Sequence, residues 1–234
     1  MRVILVTRPE PDATTTTALL KAQGLPAQAT PLMTVEMGGT LPHPSTYDMV
    51  AFTSANGVRA YHQAMGPTGK PSYFVGEASA EAGRVAGLTI AGVGGHDVES
   101  LAKLILVSAP PGRVLHIRGH DQAGDLVGRL TDAGRPAAFA ALYRAMAPTT
   151  LPDRLKTELQ TGDAIVTLYS PRTAQLFAEL CEKAGIIAPL TRCSAACLSE
   201  NVAKVARRLP FQKVMVAQAP DQAHFVDMLL SARP

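Results

Sequence analysis

The stretch DMVAFTSANGVRAY, residues 48–61, contains an apolar run that breaks abruptly into small polar residues. The run has the length of a buried strand. In the residues after it, the apolar side chains recur at the intervals of an amphipathic helix. Ser54 and Asn56 are residue types that cap helices, and Gly57 allows neighbouring backbone to approach closely. The stretch therefore predicts a buried strand, a tight turn and a helix over 55–65.

The same design occurs again in the other half of the chain. The stretch DAIVTLYSPRTAQLF, residues 163–177, places Ser170 where the first stretch has Ser54. Further pairs of segments keep the same order in both halves, and one of them aligns Asp97 with Asp221. These pairs are 3–29 with 114–140, 72–86 with 194–206, and 89–106 with 213–230. The shared order predicts an internal duplication, and the alternative is chance similarity between generic strand–helix units.

Short apolar runs alternate with amphipathic stretches along the chain. Nearly continuous apolar strands that alternate with helices indicate an α/β fold of parallel sheets with helices on both faces. One strand is predicted over 28–36, and Asp12 is placed to cap a helix over 12–24. Gly- and Pro-rich segments at 37–47 and 147–152 are typical of linkers.

The composition of the 234-residue chain, 47% hydrophobic and 18% charged, is that of a globular protein. The formal charge of +3 is mild and the basic residues are scattered, so no nucleic-acid partner is expected. Cys181, Cys193 and Cys197 form an odd, widely spaced set that predicts reduced thiols. The absence of a signal peptide, of a membrane span and of coiled-coil heptads predicts a soluble, cytoplasmic monomer without a membrane partner.

Hydroxyl groups, glycines and arginines stand where the predicted strands end and the helices begin. Ligands bind beyond the carboxyl ends of open parallel sheets, and helix N-termini favour anions. The turns therefore predict an anion site, and the alternative for any single turn is a helix cap alone. Arg8, Arg118 and Arg172 would supply positive charge to this site, and the alternative is that each is a solvated surface residue.

Other motifs of catalysis are missing. Gly92 and Gly94 lack the third glycine of a dinucleotide fingerprint, because Asp97 stands there. No phosphate-binding loop and no G-x-S-x-G turn occurs. His116 and His120 straddle a strand end, which is a poor geometry for a metal pair. No cofactor and no metal is expected.

Eight segments together resemble the uroporphyrinogen-III synthase family of tetrapyrrole biosynthesis. The segments are ILVTRPEP, VAFTSANGVRAY, FVGEASAEA, VLHIRGHDQAGDL, LYRAM, LYSPRTAQLF, CLSENVAKVA and VAQAPD. The resemblance implies two α/β lobes joined by crossing strands near 32–36 and 141–146, with a ligand cleft between the lobes. One lobe would comprise 1–36 and 148–234, and the other 37–147.

The same resemblance implies a reaction. The family cyclises hydroxymethylbilane, a linear tetrapyrrole polycarboxylate, and inverts its last ring through azafulvene and spiro intermediates. Water is released and neither metal nor coenzyme is needed, so the enzyme would be a lyase. Hydroxymethylbilane synthase would hand the substrate over in a transient encounter. A bilobed cytoplasmic binding or sensor protein without catalysis is the alternative.

Individual positions follow from the resemblance as well. Tyr143 matches the tyrosine that is the family's acid candidate, and its alternative is a packed interface residue. Thr53, Ser54, Gly76, Ser79 and Ser170 match positions that line the family's cleft, whereas Glu200-Asn201 replaces a hydroxyl pair. The complete predicted substrate-binding set is Arg8, Thr53, Ser54, Asn56, Gly76, Ser79, Arg118, Ser170, Arg172 and Ser199.

Overall fold

The computed structural model describes residues 2–121 and 124–232. Its contacts divide the chain into two compact units, Met1–Thr34 with Met146–Pro234, and Val35–Ala145. The strands are β1 (Val3–Val6), β2 (Ala27–Ala29), β3 (Thr34–Met37), β4 (Met49–Phe52), β5 (Pro71–Val75), β6 (Thr89–Gly94), β7 (Val114–Gly119), β8 (Ala137–Met146), β9 (Ala164–Leu168), β10 (Ser194–Cys197) and β11 (Lys213–Val216). The α-helices are α1 (Asp12–Ala22), α2 (Ala55–Met65), α3 (Gly76–Val85), α4 (Val98–Ser108), α5 (Leu126–Asp132), α6 (Asp153–Thr161), α7 (Pro171–Lys183), α8 (Glu200–Ala206) and α9 (Gln222–Ser231). Short 3₁₀ turns cover Pro44–Thr46 and Ala188–Arg192.

Each unit contains one sheet. The first sheet has the order β11-β10-β9-β1-β2, and the second has the order β3-β8-β7-β4-β5-β6. Pairing is parallel throughout the first sheet and from β8 to β6 in the second. The predicted α/β class with two parallel sheets is confirmed.

The same strand order occurs in both sheets, as the predicted duplication requires. Strands β7, β8, β4, β5 and β6 of the second sheet take the places of β1, β2, β9, β10 and β11 in the first. These are the strands that the sequence repeats pair with one another. β3 adds one further strand at the β8 edge of the second sheet.

The helix caps repeat in the same way. The Ser54 hydroxyl accepts a hydrogen bond from the Gly57 N–H at 3.2 Å and begins α2. Ser170 accepts from the Thr173 N–H at 3.1 Å and begins α7. The aligned aspartates also match, because the Asp97 carboxylate accepts from the Ser100 N–H at 2.7 Å and Asp221 from His224 at 2.9 Å. A side-chain acceptor at this position satisfies a backbone donor that the helix leaves unpaired.

The strands of the second unit are buried on both faces. Phe52 and Ile117 belong to an apolar cluster on one face, where Phe52 stacks on Phe74 with ring centroids 5.2 Å apart. Met49 and Leu101 belong to the cluster on the opposite face. Burial on both faces explains why the sequence of these strands is apolar without alternation.

Two local predictions were wrong. The strand predicted over 28–36 is two strands, β2 and β3, that belong to different sheets. Pairing with β1 ends just past Pro31, at the hydrogen bond from the Leu32 N–H to the Thr7 carbonyl at 3.1 Å, and β3 begins at Thr34 beside β8. Asp12 does not cap α1, because Pro11 occupies the cap position and the Asp12 carboxylate pairs with the Arg8 guanidinium at 3.0 Å.

The three cysteines are free thiols with buried side chains. Among the described residues, no helix combines the length and the apolar character that crossing a membrane would require. The same residues contain no group of three or more His, Cys, Asp and Glu side chains arranged to hold a metal ion.

Candidate active site

A cavity of about 570 Å³ lies at the carboxyl ends of β4, β5 and β7, within the second unit. From β4 the chain continues through α2 to β5 on one side, and from β7 it continues through α5 to β8 on the other. Neighbouring strands whose connections diverge leave a crevice at their carboxyl ends, and open α/β sheets bind ligands there. Its wall comprises Thr53, Ser54, Val75, His96, Asp97, Val98, Glu99, His116, Arg118, Gly119, Asp121, Gly124, Arg129 and Tyr143.

Tyr143 presents its phenol to this cavity from β8. The phenol oxygen lies 2.8 Å from the Ser54 hydroxyl oxygen. The backbone at Tyr143 is fixed too, because its carbonyl accepts a hydrogen bond from the His120 N–H at 2.9 Å. Hydrogen bonds therefore hold both the phenol group and the backbone carbonyl of Tyr143.

Gly119 makes room for the tyrosine ring. It is the last residue of β7 and lies opposite Tyr143, where the register of the two strands shifts. A Cβ atom on Gly119 would lie 2.9 Å from Cε2 and 3.0 Å from Cζ of Tyr143. No larger residue fits at this position without displacing the ring.

Thr53 and His116 form a second polar pair in the cavity wall. The Thr53 hydroxyl oxygen lies 3.1 Å from Nε2 of the imidazole. His116 is only 1% exposed. Burial, and secondarily the positive charge of Arg118, lowers the pKa of His116 to about 4. The imidazole is therefore neutral at neutral pH.

Arg118 supplies the positive charge of this region of the cavity. Its guanidinium carbon lies 3.7 Å from the centroid of the Phe139 ring. Its Nε atom is buried and has no hydrogen-bond partner among the residues that the structure describes. Stacking on a ring leaves the edge of a guanidinium group available for a carboxylate.

Acidic side chains also line the cavity. The hydrogen bond from the Ser100 backbone N–H lowers the pKa of Asp97, so this carboxylate is ionised at neutral pH. Glu99 pairs with Arg129 at 3.5 Å, and Asp121 also contributes to the wall. A carboxylate ligand is therefore favoured near Arg118 and disfavoured near Asp97.

Comparison with known proteins identifies the family. A sequence model of the family described as uroporphyrinogen-III synthase HemD matches residues 14–227, which is most of the chain. The chain belongs to the uroporphyrinogen-III synthase family. No curated protein matches the sequence.

Solved structures show the same fold. The uroporphyrinogen-III synthetase of Helicobacter pylori is 16% identical, with 100% of each chain covered and a TM-score of 0.65. A mutant uroporphyrinogen III synthase from Thermus thermophilus is 20% identical, with 99% of this chain and 96% of that chain covered and a TM-score of 0.56. The predicted uroporphyrinogen-III synthase function is confirmed by the family match, and the chain is an enzyme of tetrapyrrole biosynthesis with a tetrapyrrole substrate.

Within the second unit, the structure brings together only part of the residue set predicted for a uroporphyrinogen-III synthase. Thr53, Ser54, Arg118 and Tyr143 line one cavity. Their roles toward the substrate stay predictions.

The remaining predicted residues of this unit lie outside the cavity wall. Ser79 is buried, and its hydroxyl donates to the Gly76 carbonyl at 3.1 Å and to that of Val75. Asn56 does not cap α2, because its side-chain oxygen accepts from the Arg59 guanidinium at 2.6 Å inside the helix. Gly76 starts α3 with a φ of +68°, a conformation that favours glycine whatever the ligand.

The predicted residues of the first unit lie at the carboxyl ends of its strands. Arg8 is held by Asp12 and by Gln222, each at 3.0 Å, and its guanidinium carbon lies 4.7 Å from the centroid of the Tyr169 ring. The Asp12 carboxylate therefore offsets part of the positive charge that Arg8 was predicted to supply to an anion. Ser170 caps α7, Arg172 is exposed, and Ser199 precedes α8 without a side-chain capping bond. Their binding of substrate stays a prediction.

Sequence reasoning missed His116 and Gly119 as site residues. His116 was considered only as a metal ligand, although Ala51 of β4 is its partner in the sheet and Thr53 follows two positions later. Gly119 was one of the glycines at predicted strand ends, and no role was predicted for it individually. Finding either residue requires the register of neighbouring strands, that is, which residues lie opposite each other. The sequence repeat alone does not give that register.

Proposed function

We propose that the cavity binds part of hydroxymethylbilane and that Tyr143 assists the loss of its terminal hydroxyl group. The observation that carries this proposal is the Tyr143 phenol, which lines the cavity at a hydrogen-bond distance of 2.8 Å from Ser54. The enzyme would then act as a lyase, since a C–O bond breaks and water leaves.

The hydrogen bonds around Tyr143 allow its phenol to donate toward the cavity. The Gly57 N–H can only donate, so the Ser54 oxygen accepts at 3.2 Å. The Ser54–Tyr143 pair can run in either direction, and when Ser54 donates to the Tyr143 oxygen the phenol proton is left to donate toward the cavity. Consecutive hydrogen bonds polarise one another, and the N-terminus of α2 adds partial positive charge. Both effects make the phenol a better donor to a departing hydroxyl.

The reaction then follows from that donation. As the C–O bond breaks, the hydroxyl takes the phenol proton of Tyr143 and leaves as water, and the terminal pyrrole becomes a cationic azafulvene. The substituted carbon of the last ring attacks this cation and forms a spiro intermediate. Cleavage of one bond of the spiro centre and re-closure at the other position give the inverted ring. Loss of a proton then restores the pyrrole, and this proton balances the one that Tyr143 gave, so the phenol is regenerated.

Positive charge and hydroxyl donors would hold the substrate carboxylates. Arg118 offers a planar pair of donors, and Thr53 lies nearby in the same wall. The ionised Asp97 in the cavity wall would repel carboxylates, which favours their binding at Arg118, and would stabilise the developing cation. Holding the chain of pyrroles in one folded shape supplies much of the rate enhancement, because the reacting ends are brought together before the reaction.

We further propose that the enzyme works as a cytoplasmic monomer without cofactor and receives hydroxymethylbilane from its synthase in a transient encounter. The mild charge and the globular composition support this setting. Sedimentation of the purified protein would test the monomer.

The proposed activity is tested by a coupled assay. Hydroxymethylbilane is generated in place by its synthase, the protein is added, and the porphyrin isomers are resolved after oxidation. We expect the type III isomer to form in proportion to added protein. If only the symmetric type I isomer forms at every protein concentration, the proposed reaction is wrong.

A further inference from the structure

His116 is a polar residue at a position that the other repeat fills with an apolar one. The alignment of 3–29 with 114–140 places Leu5, which is fully buried, at the equivalent position of β1. A leucine satisfies the packing requirement of this strand position. The imidazole brings a polar group that has to be desolvated, and its Nε2 atom lies 3.1 Å from the Thr53 hydroxyl.

The surroundings of the ring select its tautomer. The second ring nitrogen, Nδ1, is buried and has no hydrogen-bond partner among residues 2–121 and 124–232. A neutral imidazole carries one N–H. If Nδ1 carried it, a donor would be buried without an acceptor, and orphaned N–H groups are rarer in folded proteins than unpaired acceptor atoms. The proton therefore belongs on Nε2, which donates to Thr53.

This direction of donation sets the role of Thr53. Its oxygen accepts from His116, so its own hydroxyl proton points away from the imidazole. Thr53 lines the cavity beside Arg118, where carboxylates are favoured. We propose that His116 is a positioning residue that fixes the Thr53 hydroxyl as a hydrogen-bond donor to a substrate carboxylate. This inference rests on the proposed function, because it assigns one contact of the same substrate.

The decisive comparison is between His116→Leu and His116→Gln. Leucine removes the Nε2 donor, and it is the residue that fills the equivalent buried position of β1. The glutamine amide places an N–H close to that of Nε2. We expect His116→Leu to raise the KM for hydroxymethylbilane roughly threefold to tenfold with little change in kcat, and His116→Gln to recover most of this loss.

A double-mutant cycle separates positioning from folding. In a Thr53→Val background the hydroxyl is absent, so His116→Leu should raise KM no further. Thermal unfolding of each variant reports its stability independently. A KM unchanged by His116→Leu, or a rise that persists in the Thr53→Val background, would overturn the proposal.

Binding of uroporphyrinogen III, measured by calorimetry under anaerobic conditions, distinguishes this inference from the proposed reaction. If wild-type protein forms no type III isomer but its Kd rises with His116→Leu and recovers with His116→Gln, the reaction assignment fails and the positioning role stands. If the Kd is the same in all three proteins, the positioning role is wrong whatever the isomer assay gives.

Discussion

The Tyr143 phenol and the Ser54 hydroxyl lie 2.8 Å apart although their strands are not neighbours in the sheet. Tyr143 belongs to β8 and Ser54 follows β4, and β7 lies between these two strands. The tyrosine ring reaches the hydroxyl by passing beside Gly119, the last residue of β7. Three strands therefore fix the position of one phenol group.

Replacing Tyr143 with Phe should lower kcat while leaving KM nearly unchanged, because the ring remains and only the donor is lost. Positioned general acids typically contribute roughly a hundredfold to ten-thousandfold, so we expect kcat to fall about a hundredfold. The measurement is the initial rate of type III formation in the coupled assay. An unchanged kcat would remove Tyr143 from the reaction.

Ser54→Ala should lower kcat by acting through Tyr143. It also removes the cap of α2, which costs about 1 kcal/mol of folding stability. Asp221→Ala is the matched control, since it removes the same kind of cap from α9. Both variants should lose comparable stability in urea unfolding, but only Ser54→Ala should lower kcat. Equal rates in the two variants would contradict the hydrogen-bond chain.

Gly119→Ala should displace the Tyr143 ring, because the added Cβ would lie 2.9 Å from Cε2. A misplacement near 1 Å reduces rates strongly, and we expect kcat to fall roughly tenfold to a hundredfold. Gly38→Ala is the control, since a Cβ at that position meets no atom within 4 Å. A fully active Gly119→Ala protein would show that the ring tolerates displacement.

Phe139→Ala should weaken substrate binding, because Phe139 supports the Arg118 guanidinium from 3.7 Å. Phe139 is 52% exposed, so its loss should cost little stability. Cation–π contacts at exposed sites contribute about 0.5–1 kcal/mol, which corresponds to a KM raised roughly twofold to fivefold. Phe139→Tyr keeps a ring and should behave like the wild type. Identical KM values for Phe139→Ala and Phe139→Tyr would exclude a role of the ring.

His116 should make folding stability depend on pH in mildly acidic solution. Its pKa falls from 6.5 to about 4 on folding, so the unfolded chain binds more protons between these values. Stability is therefore fully present above about pH 6.5 and falls as the pH is lowered toward 4. The contribution of this group is about 3 kcal/mol at most.

The test is urea unfolding of the wild type and of His116→Leu across this range. Removing the imidazole should flatten the dependence between neutral pH and about pH 4. Parallel curves for the two proteins would show that carboxylates alone cause the loss of stability in acid.

The sequence predicted the parallel sheets and the repeat, because buried βα units leave a strong apolar pattern and because capping residues recur at matched positions. Ser54 and Ser170 were found in this way. The split of residues 28–36 was missed, since a run of apolar residues does not show which sheet each part joins. Asp12 was assigned as a cap because it is a capping residue type, but the arginine four positions earlier competes for its carboxylate.

The sequence predicted that the binding site lies at the turns after the strands, but it did not predict which side chains contact each other there. Thr53, Ser54, Arg118 and Tyr143 meet there, as expected for residues at the carboxyl ends of adjoining strands. Ser79 has the expected residue type but turns its hydroxyl back to its own helix. The direction of a short side chain depends on local backbone geometry, and an unaligned sequence does not specify it.

The strand order makes the two copies of the repeat depend on each other. Along the chain, β1, β2, β4, β5 and β6 form one copy of the repeat, and β7 to β11 form the next, in simple tandem. Yet each sheet combines the first two strands of one copy with the last three of the other. This is domain swapping within a single polypeptide. A cut between β6 and β7 would therefore separate strands that pair within one sheet, and neither fragment would retain a complete sheet.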